Sequence, residues 1–334
     1  MSLDPDLAAF LELVEAHADS GSKPRMHELT PEQARREYDA STQILDRPGP
    51  EVGSMRTIRI PTRDGQAISA RLYTPAGLMA ETQPLPVLLY FHGGGYCVGS
   101  LDSHDSLCRT LAALTPCCVL NVAYRLAPEY RFPTAVEDAQ DAYQWILSTG
   151  SECNLDSARI AVGGDSAGGA LATGLTIAAR DAKWPLPVAQ VLLYPCTSTW
   201  QNTESHRRFS QGYLLEAPTL QWMFTHYLRD IADRADWRFA PLEANNLSDL
   251  APAFLALAEY DPLVDEGVAY GNKLKAAGVT TLVKIYPGMT HDFARLGNIV
   301  NEANQVRQDI ACVLANAYQH TSIPTNAGEK TLEE

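Results

Sequence analysis

Basic runs are missing from this sequence. No block of five or more lysines and arginines occurs, and 40 acidic residues against 26 basic ones leave a net charge of −14. Nucleic acids and anionic membrane surfaces attract basic patches, so both are set aside as partners. Long apolar runs are missing too: nothing approaches the ~18 residues that a bilayer-crossing helix takes. Met1 to Phe10 carries two aspartates where a secretory signal would carry a basic and then an apolar region. The seven cysteines are odd in number and never spaced C-x-x-C, and Cys117-Cys118 lies in an apolar run. Buried, reduced thiols in a cytoplasmic protein are therefore expected, ahead of a disulfide framework or a metal site. No two histidines stand four apart around a glutamate, as a zinc hydrolase of that type would need. Neither an internal repeat nor a low-complexity segment is found.

What is present is enough apolar material for a full core: 46% of 334 residues are hydrophobic. Chains of this size with alternating strands and helices often close around one sheet. Residues 1–50 read as an amphipathic helical arm, with Leu7, Phe10, Leu11 and Val14 at helix spacing and Thr30-Pro31 as a second helix start. Nothing catalytic is visible there. Val52 to Pro61 and Ala67 to Thr74 alternate apolar and polar residues around Arg63-Asp64-Gly65, as antiparallel edge strands do.

From Pro84 the pattern changes. Val87 to Phe91, Cys117 to Val122, Ile160 to Val162, Val188 to Tyr194 and Ala253 to Ala258 are continuous apolar runs, the mark of strands covered on both faces. Helical stretches lie between or after them at Ser103–Leu114, Thr134–Leu147, Ala167–Arg180, Val264–Ala277 and Glu302–Tyr318. Such alternation predicts an α/β fold with a mostly parallel central sheet flanked by helices. The catalytic body is assigned to residues 51–198 and 240–320. Residues 199–239, rich in aromatics, interrupt it as an insertion that suggests a helical lid. Residues 321–334 are expected to form a flexible polar tail.

The chemistry gathers in four places. Gly164-Asp165-Ser166-Ala167-Gly168 fits G-x-S-x-G between a strand and a helix, which puts a serine on a strained corner. The glycines avoid collisions that a Cβ would cause, and the Ala167 amide opens the helix towards any oxyanion formed at Ser166. A serine needs a base, and the base needs an orienting acid. His291 follows the strand Thr281 to Tyr286 on a loop, where α/β sites collect. Asp261 ends an apolar strand before Pro262, whereas Asp265 and Glu266 read as acids complementing a helix start. Asp165 reads as structural, facing away from Ser166. His92-Gly93-Gly94-Gly95 follows the strand ending at Phe91, where glycine amides can approach a substrate oxygen.

With Tyr124-Arg125-Leu126-Ala127-Pro128-Glu129, Asp261-Pro262-Leu263 and His291-Asp292-Phe293, these motifs make Val52 to Tyr318 resemble the bacterial hormone-sensitive-lipase-like family of α/β-hydrolase esterases. The resemblance implies an α/β-hydrolase fold with a helical cap built from the N-terminal helices and the insertion. It further implies hydrolysis of short- to medium-chain carboxylic esters without a cofactor, with Ser166, Asp261 and His291 catalytic. By the same resemblance the amides of Gly94, Gly95 and Ala167 form the oxyanion hole. His92 and Gly93 would be structural, and a homodimer would be in keeping with similar proteins. Tyr213, Leu214, Leu215, Trp222 and Met223 are the residues of the insertion expected to line a pocket. An amidase or deacetylase with the same triad stays open, because leaving-group chemistry is not written in the motifs. Receptors that resemble this family lack the histidine present here as His291.

Overall fold

A computed structural model describes residues 2–21, 23–77 and 83–319. The expected tail at 321–334 lies outside them. Eight strands form one sheet: β1 (Ser54–Pro61), β2 (Ala67–Thr74), β3 (Leu85–Phe91), β4 (Cys118–Ala123), β5 (Leu155–Asp165), β6 (Ala189–Leu193), β7 (Ala253–Tyr260) and β8 (Thr281–Thr290). Their spatial order is β1-β2-β4-β3-β5-β6-β7-β8. β2 pairs antiparallel with both β1 and β4, and every other neighbouring pair from β4 to β8 is parallel.

Alternation along the central strands divides the core in two. Val87, Leu89 and Phe91 of β3 enter one cluster, and Leu88 and Tyr90 enter the other. Successive side chains of a strand face opposite sides, so both faces of β3 demand cover. Helices supply it: α3 (Asp105–Leu114), α4 (Thr134–Thr149), α5 (Ala167–Asp181), α8 (Val264–Ala276) and α9 (Glu302–Gln319). The N-terminal arm holds α1 (Pro5–Asp19) and α2 (Pro31–Leu45). Asp4 caps α1, accepting from the amides of Asp6 and Leu7 at 3.0 and 3.1 Å. Thr30 and Gln33 form a capping box on α2 with Pro31 in its first turn.

Three expectations need correction. β2 is no edge strand, because β4 pairs with its second side; its alternation reflects a face on which Ile68, Ala70 and Leu72 are buried and one on which Ala67, Ser69 and Arg71 are half-buried. The strand read at Ile160 to Val162 runs from Leu155 to Asp165, since pairing with β3 continues past the apolar run. β8 likewise continues to Thr290, held by β7 through Tyr260↔Thr290, so His291 follows the strand at once.

Between β6 and β7 lie α6 (Glu204–Arg208), α7 (Ala217–Tyr227) and short 3-10 turns at Ile231–Ala235 and Pro241–Glu243. Most of its aromatics are packing residues. Tyr227 stacks on Tyr96 with ring centroids 3.9 Å apart, and Phe239 meets Tyr96, Phe224 and Tyr227 edge-on. The arm reaches the insertion through Arg25, which donates to Glu216 at 2.8 Å, and through His27, whose Nδ1 lies 3.3 Å from Thr219 Oγ1.

Candidate active site

Ser166 stands where β5 turns into α5, at φ +53 and ψ −119. That backbone is costly for a residue with a Cβ. Surroundings enforce it: the Ser166 amide donates to Leu193 O at 2.8 Å, and a Cβ on Gly168 would sit 1.9 Å from Phe91 O. Close approach of β3 to the start of α5 is therefore possible only with glycine there. The turn lifts Oγ towards His291.

The two partners arrive from neighbouring strand ends. Asp261 follows β7, and its Oδ1 accepts the Leu263 amide at 2.8 Å, which fixes the carboxylate. Its Oδ2 lies 2.7 Å from His291 Nδ1, while His291 Nε2 lies 2.9 Å from Ser166 Oγ. Nδ1–H donating to the carboxylate leaves a lone pair on Nε2 to accept the serine proton. Tyr194 backs the imidazole, with ring centroids 4.7 Å apart. Burial pushes the His291 pKa down, but the Asp261 carboxylate outweighs it by charge and hydrogen bond, and the net shift is upward.

Three backbone amides around Ser166, those of Gly94, Gly95 and Ala167, donate to no acceptor among the described residues. Gly93 is different: its amide is taken by Asp165 Oδ1 at 3.0 Å. Asp165 also accepts the Tyr90 hydroxyl at 2.7 Å and stands 3.1 Å from His104 Nε2. Burial opposes its charge, yet His104, Arg295 and Tyr90 together hold its carboxyl well below the ordinary range. His92 has a pKa lowered to about 3, chiefly by burial, so its imidazole is neutral. It stacks on Tyr124 at 4.3 Å and donates from Nδ1 to Gly93 O at 2.8 Å. Tyr124 closes the arrangement by donating to His92 O at 2.7 Å.

A cavity of about 80 Å³ opens over Ser166 and His291. Leu214, Leu215 and Met223 line it, and Tyr213 and Trp222 do not. On α7 the inward face is Thr219, Leu220, Met223 and Phe224, so Trp222 turns away and meets His226 edge-on at 4.6 Å. Tyr213 instead stacks on Tyr260 with centroids 5.9 Å apart. Sequence reasoning missed Leu220 and Phe224, which the helical spacing from Thr219 could have revealed. It also missed Cys196 and, from the arm, Met26 and Tyr38. No local signal marks Met26 or Tyr38, because only the docking of the arm brings them to the serine, whereas Cys196 follows β6 and its amide donates to Ser166 O at 3.2 Å.

A family model of the alpha/beta hydrolase fold matches residues 88–295. The chain belongs to this family. Over 309 residues, this alpha/beta hydrolase is 44% identical to an ethyl acetate hydrolase of Pseudomonas putida, covering 91% of the chain and 96% of that protein. An arylesterase of Saccharolobus solfataricus is 34% identical over 296 residues, 88% of the chain and 92% of that protein. Among solved structures, a hyperthermophilic esterase from Pyrobaculum calidifontis superposes with a TM-score of 0.88 at 34% identity, covering 96% of this chain and 100% of that one. An alpha/beta hydrolase enzyme from the metagenome of Lake Arreo, Spain, gives 0.90 at 35% identity over 95% and 99% of the two chains.

Of the seven cysteines, all are free, five are buried, Cys153 is half-buried and Cys312 is exposed. Among the described residues, no helix of this hydrolase is long and apolar enough to cross a membrane. Nor does any group of three or more His, Cys, Asp and Glu side chains there suit a metal ion.

Proposed function

We propose that this alpha/beta hydrolase cleaves carboxylic esters with small acyl groups through an acyl-enzyme. The observation that carries the reading is the continuous relay from Asp261 through His291 to Ser166, at 2.7 and 2.9 Å, beside three amides that donate to no acceptor among the described residues. Ser166 Oγ attacks the ester carbonyl as its proton passes to His291 Nε2. The negative charge moves to the carbonyl oxygen, where the amides of Gly94, Gly95 and Ala167 receive it. Collapse breaks the bond to the alkoxy oxygen, and the imidazolium returns the proton to that oxygen, releasing the alcohol. Water, deprotonated by the same imidazole, then attacks the acyl carbonyl; Ser166 leaves, recovers its proton, and the carboxylic acid departs.

Small acyl groups are favoured by the cavity, whose roughly 80 Å³ lies well below the ~300 Å³ and more of sites that bury drug-sized ligands. The name of the ethyl acetate hydrolase relative points the same way. Five buried free thiols suit a reducing compartment, and the cytoplasm belongs to the same proposal. So does a homodimer through the open edge of β8, where Leu282 and Ile285 are exposed. Initial rates on an acyl series of aryl esters, beside the matching anilides, test the reading. Turnover falling steeply beyond short acyl chains, with anilides far slower, is expected. Anilide hydrolysis at comparable rates would make this an amidase.

A further inference from the structure

The cavity wall is mostly apolar, with Met26, Leu215, Leu220, Met223 and Phe224 among its residues. One carboxylate outside the relay stands in it. Asp292, next in the chain to His291, lines the cavity with its side chain 26% exposed. Its Oδ2 is occupied: Arg295 Nη1 donates to it at 3.2 Å, and the Tyr38 hydroxyl donates from 3.5 Å. Arg295 Nη1 also donates to the Tyr38 oxygen, which leaves the hydroxyl proton for Asp292. The guanidinium is itself fastened, with Nη2 donating to Thr42 Oγ1 at 2.5 Å and to Ser103 O at 3.3 Å. Asp292 is thus anchored by one oxygen. Its Oδ1 accepts no hydrogen bond from any described residue.

Position says which half of a substrate this oxygen meets. The alkoxide leaving group takes its proton from His291 Nε2, so groups beside His291 adjoin the alcohol portion of the ester. We propose that Asp292 is a specificity-determining residue, whose open oxygen accepts a hydrogen bond from a hydroxyl on the alcohol portion. The enzyme then prefers monoesters of short diols and polyols to alkyl esters of the same size. This inference rests on the esterase reading above.

The preference has two sources. A hydrogen bond to a charged acceptor favours the hydroxylated ester by about tenfold or more. An alkyl chain in the same place strips water from Oδ1 and returns nothing. A carboxylate on the alcohol portion would be repelled.

The test compares 2-hydroxyethyl acetate with propyl acetate, which have the same number of heavy atoms. The ratio of their kcat/KM values is divided by the ratio of their rates with hydroxide alone, which removes intrinsic reactivity. Wild type should give roughly tenfold in favour of the hydroxylated ester. Asp292→Gly removes the carboxylate and suits the left-handed backbone there, at φ +66, so the ratio should fall close to one. Because the ratio is read within one variant, a general loss of rate does not disturb it. Should the glycine variant fail to fold, Asp292→Asn keeps the shape without the charge, and its ratio should fall severalfold. A corrected ratio near one in wild type, or a wild-type ratio in the folded variants, overturns the role of Asp292. Propyl acetate hydrolysed without discrimination sinks this inference alone, whereas failure to hydrolyse either acetate sinks the esterase reading beneath it.

Discussion

Asp165 Oδ2 and His104 Nε2 lie 3.1 Å apart with both side chains fully buried, directly behind the serine corner. The pair fixes the strand end and, through the Gly93 amide, the glycine loop. Removing one partner of a buried hydrogen-bonded group, so that the others are left unsatisfied, typically costs about 1–3 kcal/mol. Asp165→Ala should therefore lose stability of that order in urea denaturation at neutral pH. Its folded pKa is lowered, so its contribution is present above the ordinary 3.8 and fades as pH falls below it. The gap between wild type and variant should narrow below about pH 4. A gap that stayed constant or widened on acidification would show that charge is not the cause.

Ser166→Ala should abolish ester turnover with little change in melting temperature, since alanine meets the same backbone demand at φ +53. A serine-directed phosphonate should add its mass to the Ser166 peptide alone. Labelling of another serine would move the nucleophile elsewhere.

Asp261→Asn should lower kcat by about four orders of magnitude, because a neutral partner permits the wrong imidazole tautomer. Asp265 does other work: its Oδ2 accepts the Ser205 amide at 2.8 Å and docks α6. Asp265→Asn should lower the melting temperature and leave kcat within a few-fold. Reversed losses would mean that the orienting acid had been misassigned.

The pH dependence should report His291. It must be neutral to accept the serine proton, and its pKa is raised from 6.5. The acid limb of kcat/KM should therefore show one proton and an apparent pKa above 6.5. His291→Ala should lose that limb together with most of the rate. Chelators should change neither, since the imidazole activates the deacylating water. An acid limb persisting in the mutant, or activity lost to EDTA and restored by a metal, would remove His291 as base.

Met223→Ala should shift the best substrate towards longer acyl chains, because its side chain closes the cavity beside Gly95. A Cβ on Gly95 would lie only 2.0 Å from Met223 Sδ. Trp222→Ala, about 100° around α7 from Met223 and outside the cavity lining, should lower the melting temperature and keep the chain-length profile. The two variants exchange these outcomes only if the inward face of α7 is misread.

Local chemistry by itself determined the alternation of strands and helices, the serine corner, the glycine loop, and Asp261 and His291 as its partners. Each of these is written in a short window: an apolar run, a turn that tolerates only glycine, a polar residue at a strand's end. Tertiary structure decided what no window contains. The pairing of β2 with β4 turned an expected edge into an interior strand, and pairing with β7 carried β8 on to Thr290. Docking of α2 brought Tyr38 to Asp292 across 254 residues, while Trp222, beside Met223 in sequence, faces away. Periodicity shows that a helix has a buried face, but which cavity that face meets depends on packing between distant segments. The direction of the His291 shift was set the same way, by the balance between burial and a carboxylate 30 residues away in the chain.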